Sequence, residues 1–184
     1  MRIDPDIGPS IARPVVEQLD QRRAAKIDLP AHEFAKPFSR HYIPPLRIVA
    51  FGDGGESRAL RRLGSCYGAD VSLRDAAASS QQLSAILIDS WTAIVCLAHE
   101  HEWERVILLW ALETNAFYVG AIGGAKTRAA RLALLDELAV PPEALARLRA
   151  PVGLFESARH PDALAVSLLA ELVERYERLV DEMH

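Results

Sequence analysis

The sequence predicts an α/β fold: a doubly wound parallel sheet flanked by helices, behind a proline-rich N-terminal arm. Three observations predict it. After about residue 46, short apolar and β-branched runs alternate with segments of helical periodicity. Two of those runs, Ile48–Phe51 and Ala116–Ile122, lead straight into glycine turns that open helices. Seven of the eleven prolines, at 5, 9, 14, 30, 37, 44 and 45, fall before residue 46.

The elements follow in order. Residues 1–45 carry one predicted helix, "PVVEQLDQRRAAK", with Pro14 in its first turn, where a missing N–H costs nothing. Pro44 and Pro45 close this arm, so the globular domain is expected over 46–184. Half of the 184 residues are hydrophobic, enough for one good core. Ile48–Phe51 reads as a buried strand and Ser57–Leu63 as a helix. "ADVSLRD" is a weaker second strand, and "TAIVCLA", ending before His99, is the clearest buried one. "HEHEWERVILLWALE" turns from loop into a helix with an apolar stripe at Trp103, Val106, Ile107, Trp110 and Ala111. A strand at Ala116–Ile122, a glycine turn and the helix "AKTRAARLALLDEL" repeat the first pattern. A short helix "PPEALARLR", an extended "PVGL" and a long helix from Pro161 to about Val180 complete the chain; Leu164, Leu168, Leu172 and Leu179 form the last helix's core stripe.

Charge and composition exclude several classes. A net charge of −4, with 21 basic residues scattered among 25 acidic ones, leaves no footprint for nucleic acid or an anionic membrane. No apolar run is long enough to span a bilayer and "MRIDPDIGPS" is not a signal sequence, so the expected location is cytoplasmic. Cys66 and Cys96 have no ligand spacing and are expected to be buried free thiols.

In such a sheet, ligands sit at the carboxyl ends of the strands. Gly52 and Gly54 hold the first two positions of G-x-G-x-x-G, with Ser57 at the third, making a Rossmann-like turn. Ser57 is small enough for helix–strand packing and can also cap the helix. Asp53 places a like charge where a phosphate would sit, so a glycine turn kept for packing alone remains the alternative. Asp75, about twenty residues on, is placed as the acid a ribose wants, and Arg74 beside it would instead favour an extra phosphate; a solvated strand-end charge is the alternative for both. These features allow NAD(P). The second loop, with Gly120, Gly123 and Gly124, brings Lys126, Arg128 and Arg131 into or just after a helix start, which favours an anion. Its alternative is a solvated basic helix face. His99 and His101 follow a central strand and can face a polar ligand, with a plain loop or helix-capping role as the alternative; no third ligand comes at metal spacing, so no metal site is expected. Glu156 and Ser157 lie on a turn that can border the same edge.

The order of these motifs resembles the XdhC/CoxI family of accessory factors for molybdenum hydroxylases such as xanthine dehydrogenase. The segments that carry it are "PPLRIVAFGDG", "TAIVCLAHEHEWE", "FYVGAIGGAKTRAARL", "PPEALARLRAPVGL" and "ARHPDALAVSLLAELV", over roughly residues 42–174. The resemblance is to the family's C-terminal Rossmann domain. It implies a factor that binds molybdenum cofactor, helps install its sulfur and delivers it to the apo-hydroxylase, acting by binding rather than turnover. It also implies partners: the hydroxylase apoenzyme, a cysteine desulfurase or a separate N-terminal-type XdhC chain, and a possible homodimer. The chain departs from the family's motifs at Asp53 and Gly55, near Glu104, at Gly124, and at Phe155 and Ser157. The fold also allows an NAD(P)-dependent oxidoreductase, although no catalytic tyrosine–lysine or histidine–carboxylate pair is recognisable, and the departures at Asp53 and Phe155 raise a third expectation, a non-catalytic protein-binding module.

Overall fold

The computed structural model describes residues 9–29, 38–98, 101–155, 158 and 160–182. The chain divides into two compact units: one takes the chain up to Pro44 together with Val180 onward, the other Pro45–Leu179.

In the first unit, helix α1 spans Pro9–Asp20, and strands β1, Ala25–Leu29, and β2, Phe38–Tyr42, pair antiparallel from Ala25↔Tyr42 to Leu29↔Phe38. Val15 and Leu19 of α1 pack with Ile27 and Tyr42. The sequence expectation is corrected twice here. The helix begins five residues before Pro14, which therefore lies inside it, and "AAK" belongs to β1 and the turn before it rather than to the helix. Amphipathic spacing at Val15 and Leu19 locates the helix but not its start; strand pairing, a non-local contact, decides the rest.

The second unit is a five-stranded sheet in the order β4-β3-β5-β6-β7, with β3 Arg47–Phe51, β4 Asp70–Arg74, β5 Thr92–Cys96, β6 Tyr118–Ala121 and β7 Leu148–Arg149. Every pair is parallel. The doubly wound α/β fold is the one the sequence predicts. The helices are α2 Gly55–Tyr67, α3 Ser80–Ser84, α4 His101–Glu113, α5 Ala125–Glu137, α6 Pro142–Leu145 and α7 Pro161–Asp181. Successive strand residues point to opposite faces. Val49, Phe51, Ile94 and Cys96 therefore meet Leu83 of α3, Ile107 and Leu108 of α4 and Leu135 of α5. On the other face α2 and α7 lie together, with Gly64 of α2 close over Ile48 and Val71 and Gly55 close to Pro161. Each sealed aliphatic side chain in these layers, such as Ile48, Leu60 or Leu168, contributes about 1.5–3 kcal/mol.

Local chemistry fixes the ends. Ser79 caps α3 in a reciprocal box with Gln82, and Gly68, at φ 100°, ends α2 in the left-handed conformation. Arg147 gathers the carbonyls at the end of α4, donating to Leu112, Thr114 and Ala116 at 3.0, 3.0 and 2.7 Å. Two helical readings shift. The buried face of α4 is Ile107, Leu108, Ala111 and Leu112, whereas Trp103 is exposed, and Ala165, Ser167, Glu171 and Tyr176 join Leu168 and Leu172 on the buried face of α7. The segment "PPEALARLR" splits into the four-residue α6 and the short strand β7.

Candidate functional site

The strand order reverses between β3 and β5, so the crevice at their carboxyl ends is the topological switch point of the sheet. Gly52 leaves β3 there with φ 124°, and its N–H donates to the Arg74 carbonyl at 2.9 Å. A Cβ on Gly52 would stand 3.1 Å from the Leu97 carbonyl, so the strand ends approach as closely as they do only because glycine is present. Gly54 is the N-cap of α2 and has no side-chain cap. The expectation that Ser57 caps this helix is therefore corrected. Ser57 lies inside the first turn, fully buried against the sheet, with its Oγ unpartnered among the described residues.

A 530 Å³ cleft opens beside this loop, lined by Gly52, Asp53, Arg58, Arg74 and Asp75 among others. Arg58 Nη1 donates to the Asp53 carbonyl at 2.6 Å, and Asp75 Oδ1 accepts the Ala77 N–H at 2.9 Å. Asp53 thus shares the cleft with two guanidinium groups, which offset the repulsion a phosphate would meet from it.

The second loop follows β6. Gly120 lies within that strand rather than in the turn; a Cβ on it would stand 2.5 Å from Val152 Cγ1 and 2.6 Å from Tyr118 Cε1. The turn itself is Ile122, Gly123 at φ 136° and Gly124, the N-cap of α5, again without a side-chain cap. Gly124 therefore offers the first N–H groups of α5 no side-chain cap. Lys126 and Arg128 lie exposed in the first turn, as the sequence places them. Arg131 does not. It is sealed between α4 and α5, where Nε and Nη2 hold both oxygens of the equally buried Glu104, and Nη2 also donates to the Ile122 carbonyl at 2.7 Å. Glu104 is the partner that sequence reasoning did not assign. Its signal was a carboxylate three and four residues before Ile107 and Leu108, on the buried face of α4.

A third loop, after β7, reaches the same edge. Gly153, at φ 95°, donates to Glu171 Oε2 at 2.6 Å, Tyr118 Oη donates to the same oxygen at 3.0 Å, and the Phe155 N–H donates to Ser167 Oγ at 2.8 Å. Burial first, and Glu171 second, push the Tyr118 phenol far above its ordinary range. These bonds fix the loop and leave Leu154 and Phe155 exposed.

His99 lies outside the described residues, as do Glu156 and Ser157; His101 opens α4, and its side chain is also outside them. Among the described residues no group of three His, Cys, Asp or Glu is placed to hold a metal. Cys96 is buried, and burial pushes its thiol up to about 11. Cys66 is exposed on α2, correcting the expectation that both thiols are buried. Among the described residues no helix is long and apolar enough to cross a membrane.

Residues 48–172, from β3 to the middle of α7, match the XdhC Rossmann domain. The chain belongs to the XdhC family. Among its relatives, the molybdenum cofactor insertion chaperone PaoD of Escherichia coli (strain K12) is 36% identical over 138 residues, covering 73% of this chain and 42% of PaoD. A probable xanthine dehydrogenase subunit of Bacillus subtilis (strain 168) is 25% identical over 178 residues, 86% of this chain and 52% of that protein. The chain spans about half the length of these curated relatives. A crystal structure of a xanthine dehydrogenase from Bacillus halodurans superposes with a TM-score of 0.62 over 81% of this chain and 48% of that one; at 22% identity the likeness is one of fold.

Proposed function

We propose that this XdhC-family chain is an accessory protein of a molybdenum hydroxylase system, which binds molybdenum cofactor at the carboxyl edge of its sheet and assists sulfuration or insertion of the cofactor in a xanthine dehydrogenase-type enzyme. The observation that carries the reading is the start of α5. An uncapped helix N-terminus, a left-handed glycine before it and exposed Lys126 and Arg128 make a cationic, donor-rich turn, the chemistry a cofactor phosphate requires. The 36% identity to a cofactor insertion chaperone supports the same reading. His99, between β5 and α4, and His101, the first residue of α4, are proposed to face the metal-oxo end of the ligand. Gly123 and Gly124 shape the turn, and Gly120 supports it from within β6. The chain acts by binding and delivery, with the apo-hydroxylase as partner and a desulfurase or an N-terminal-type XdhC chain as further candidates.

Reconstitution tests this reading. Apo-hydroxylase incubated with free molybdenum cofactor and sulfide should gain activity several-fold faster with the chain present, and an unchanged rate would contradict the accessory role.

The first glycine loop favours a second ligand. The cleft lined by Gly52, Arg58, Arg74 and Asp75, beside the α2 N-cap Gly54, lies where a dinucleotide's ribose and phosphate sit in this fold, so NAD(P) binding is the reading for that loop. Asp53→Ala should strengthen phosphate-ligand binding there by about 0.5–1 kcal/mol at low salt. A titration with NADPH showing no difference would remove the loop from consideration.

A further inference from the structure

Arg131 carries more donors than the described residues accept. Its side chain is only 3% exposed, Nε and Nη2 are taken by Glu104 and the Ile122 carbonyl, and Nη1 has no partner among the described residues. Buried guanidinium N–H groups are almost always satisfied, so an orphan one marks the place of a missing acceptor. Nη1 shares its carbon with Nη2, which bonds the Ile122 carbonyl in the turn before α5, and Arg131 lines the cavity beside that turn.

A cavity of 340 Å³ lies beside it, between α4 and α5. Leu108, Leu134 and Leu135 supply apolar walls, and Arg105, Lys126 and Arg131 supply charge. Glu104 is the lone carboxylate in the lining and is already bound to Arg131, so three cations against one acid leave a surplus of two positive charges. The combination of an apolar chamber and convergent cationic donors is that of a small-ligand site, and the volume falls in the usual range for one.

We propose that this groove seats a phosphate monoester with a compact apolar or planar body, the phosphate lying on Lys126, Arg131 Nη1 and the first turn of α5, and the body lying on Leu108, Leu134 and Leu135. Phosphate, rather than carboxylate, matches the number of donors, which exceeds what two oxygens accept. The inference rests on the reading of the second glycine loop as an anion site and adds where the rest of the ligand goes: inward between two helices, not outward over Arg128.

Titration of the full chain with phenyl phosphate and with inorganic phosphate, at low ionic strength, tests it without molybdenum cofactor. Phenyl phosphate should bind at least tenfold more tightly than inorganic phosphate. Ala130→Phe, at an exposed helix position lining the groove, should abolish that advantage while melting stays unchanged. Lys126→Ala should weaken both probes about tenfold, and Arg61→Ala, a remote exposed cation, should stay within twofold. Equal affinity for the two probes, no binding of either, an advantage that survives Ala130→Phe, or an equal loss in Arg61→Ala would overturn the proposal. Phenyl phosphate binding without cofactor binding would leave the groove standing and remove the cofactor reading; the reverse would remove the groove alone.

Discussion

Replacing Glu104 by alanine perturbs the one ion pair sealed inside this domain among the described residues. The two side chains are 3% and 7% exposed, and the carboxylate takes both Nε and Nη2 of Arg131. Without it, a buried guanidinium keeps only its bond to the Ile122 carbonyl. Breaking one half of a buried pair costs about 3–5 kcal/mol, because the surviving charge stays desolvated. In a chain of this size each kcal/mol lowers Tm by roughly 2–4 °C, so a fall of about 6–20 °C is expected. Glu104→Gln retains an acceptor and should lose less, about 1.5–3 kcal/mol. Glu104→Leu with Arg131→Met removes both charges and should return to within about 1 kcal/mol of the parent. Urea unfolding followed by tryptophan fluorescence, with constant m, measures all three. If Glu104→Ala lies within 1 kcal/mol of the parent, or the double variant is as unstable as the single one, the pair does not hold α4 to α5 as argued.

Two further outcomes follow from packing and titration. Gly120→Ala should cost about 1–3 kcal/mol, because its methyl would meet Val152 and Tyr118 at about 2.5 Å; Gly153→Ala should cost a comparable amount through its positive φ and the Ser167 hydroxyl, and parent-like melting of either would contradict the loop packing. Burial holds the Cys96 thiol protonated up to about 11 against an ordinary 9.0, so its contribution is intact below pH 9 and is lost as pH rises from 9 to 11, by about 3 kcal/mol at most. Cys96→Ala should flatten that alkaline decline, and Cys66 alone should be alkylated in the native protein; equal alkylation of both thiols would refute the burial argument.

The sheet and both glycine turns were legible because their signals are local. A β-branched run, a residue free to take positive φ and a helical period each lie within about ten residues, and Gly52 and Gly123 do sit at the strand ends with φ of 124° and 136°. Lys126 and Arg128 were legible for the same reason. Arg131 was not, since its partner lies 27 residues away on another helix. Its position four residues before Leu135, within an apolar stripe, was the available clue. Gly120 was read as part of the turn, but the reason for glycine there is Val152, a contact across 32 positions that no spacing rule reveals. Ser57 looked like a cap because it is a serine near a helix start; the cap position falls three residues earlier, and helix boundaries are the least determined feature of a pattern.

The central claim, that the start of α5 holds the phosphate of molybdenum cofactor, is tested most directly by an anaerobic binding titration. Cofactor released from a donor hydroxylase is added to the parent chain and to Lys126→Ala/Arg128→Ala. Each charge-assisted hydrogen bond lost is worth about 1.5–3 kcal/mol, so the double variant should bind at least tenfold more weakly, with melting within about 2 °C of the parent because both side chains are exposed. Equal affinity of the two proteins for the cofactor, or no binding by the parent, would contradict the account.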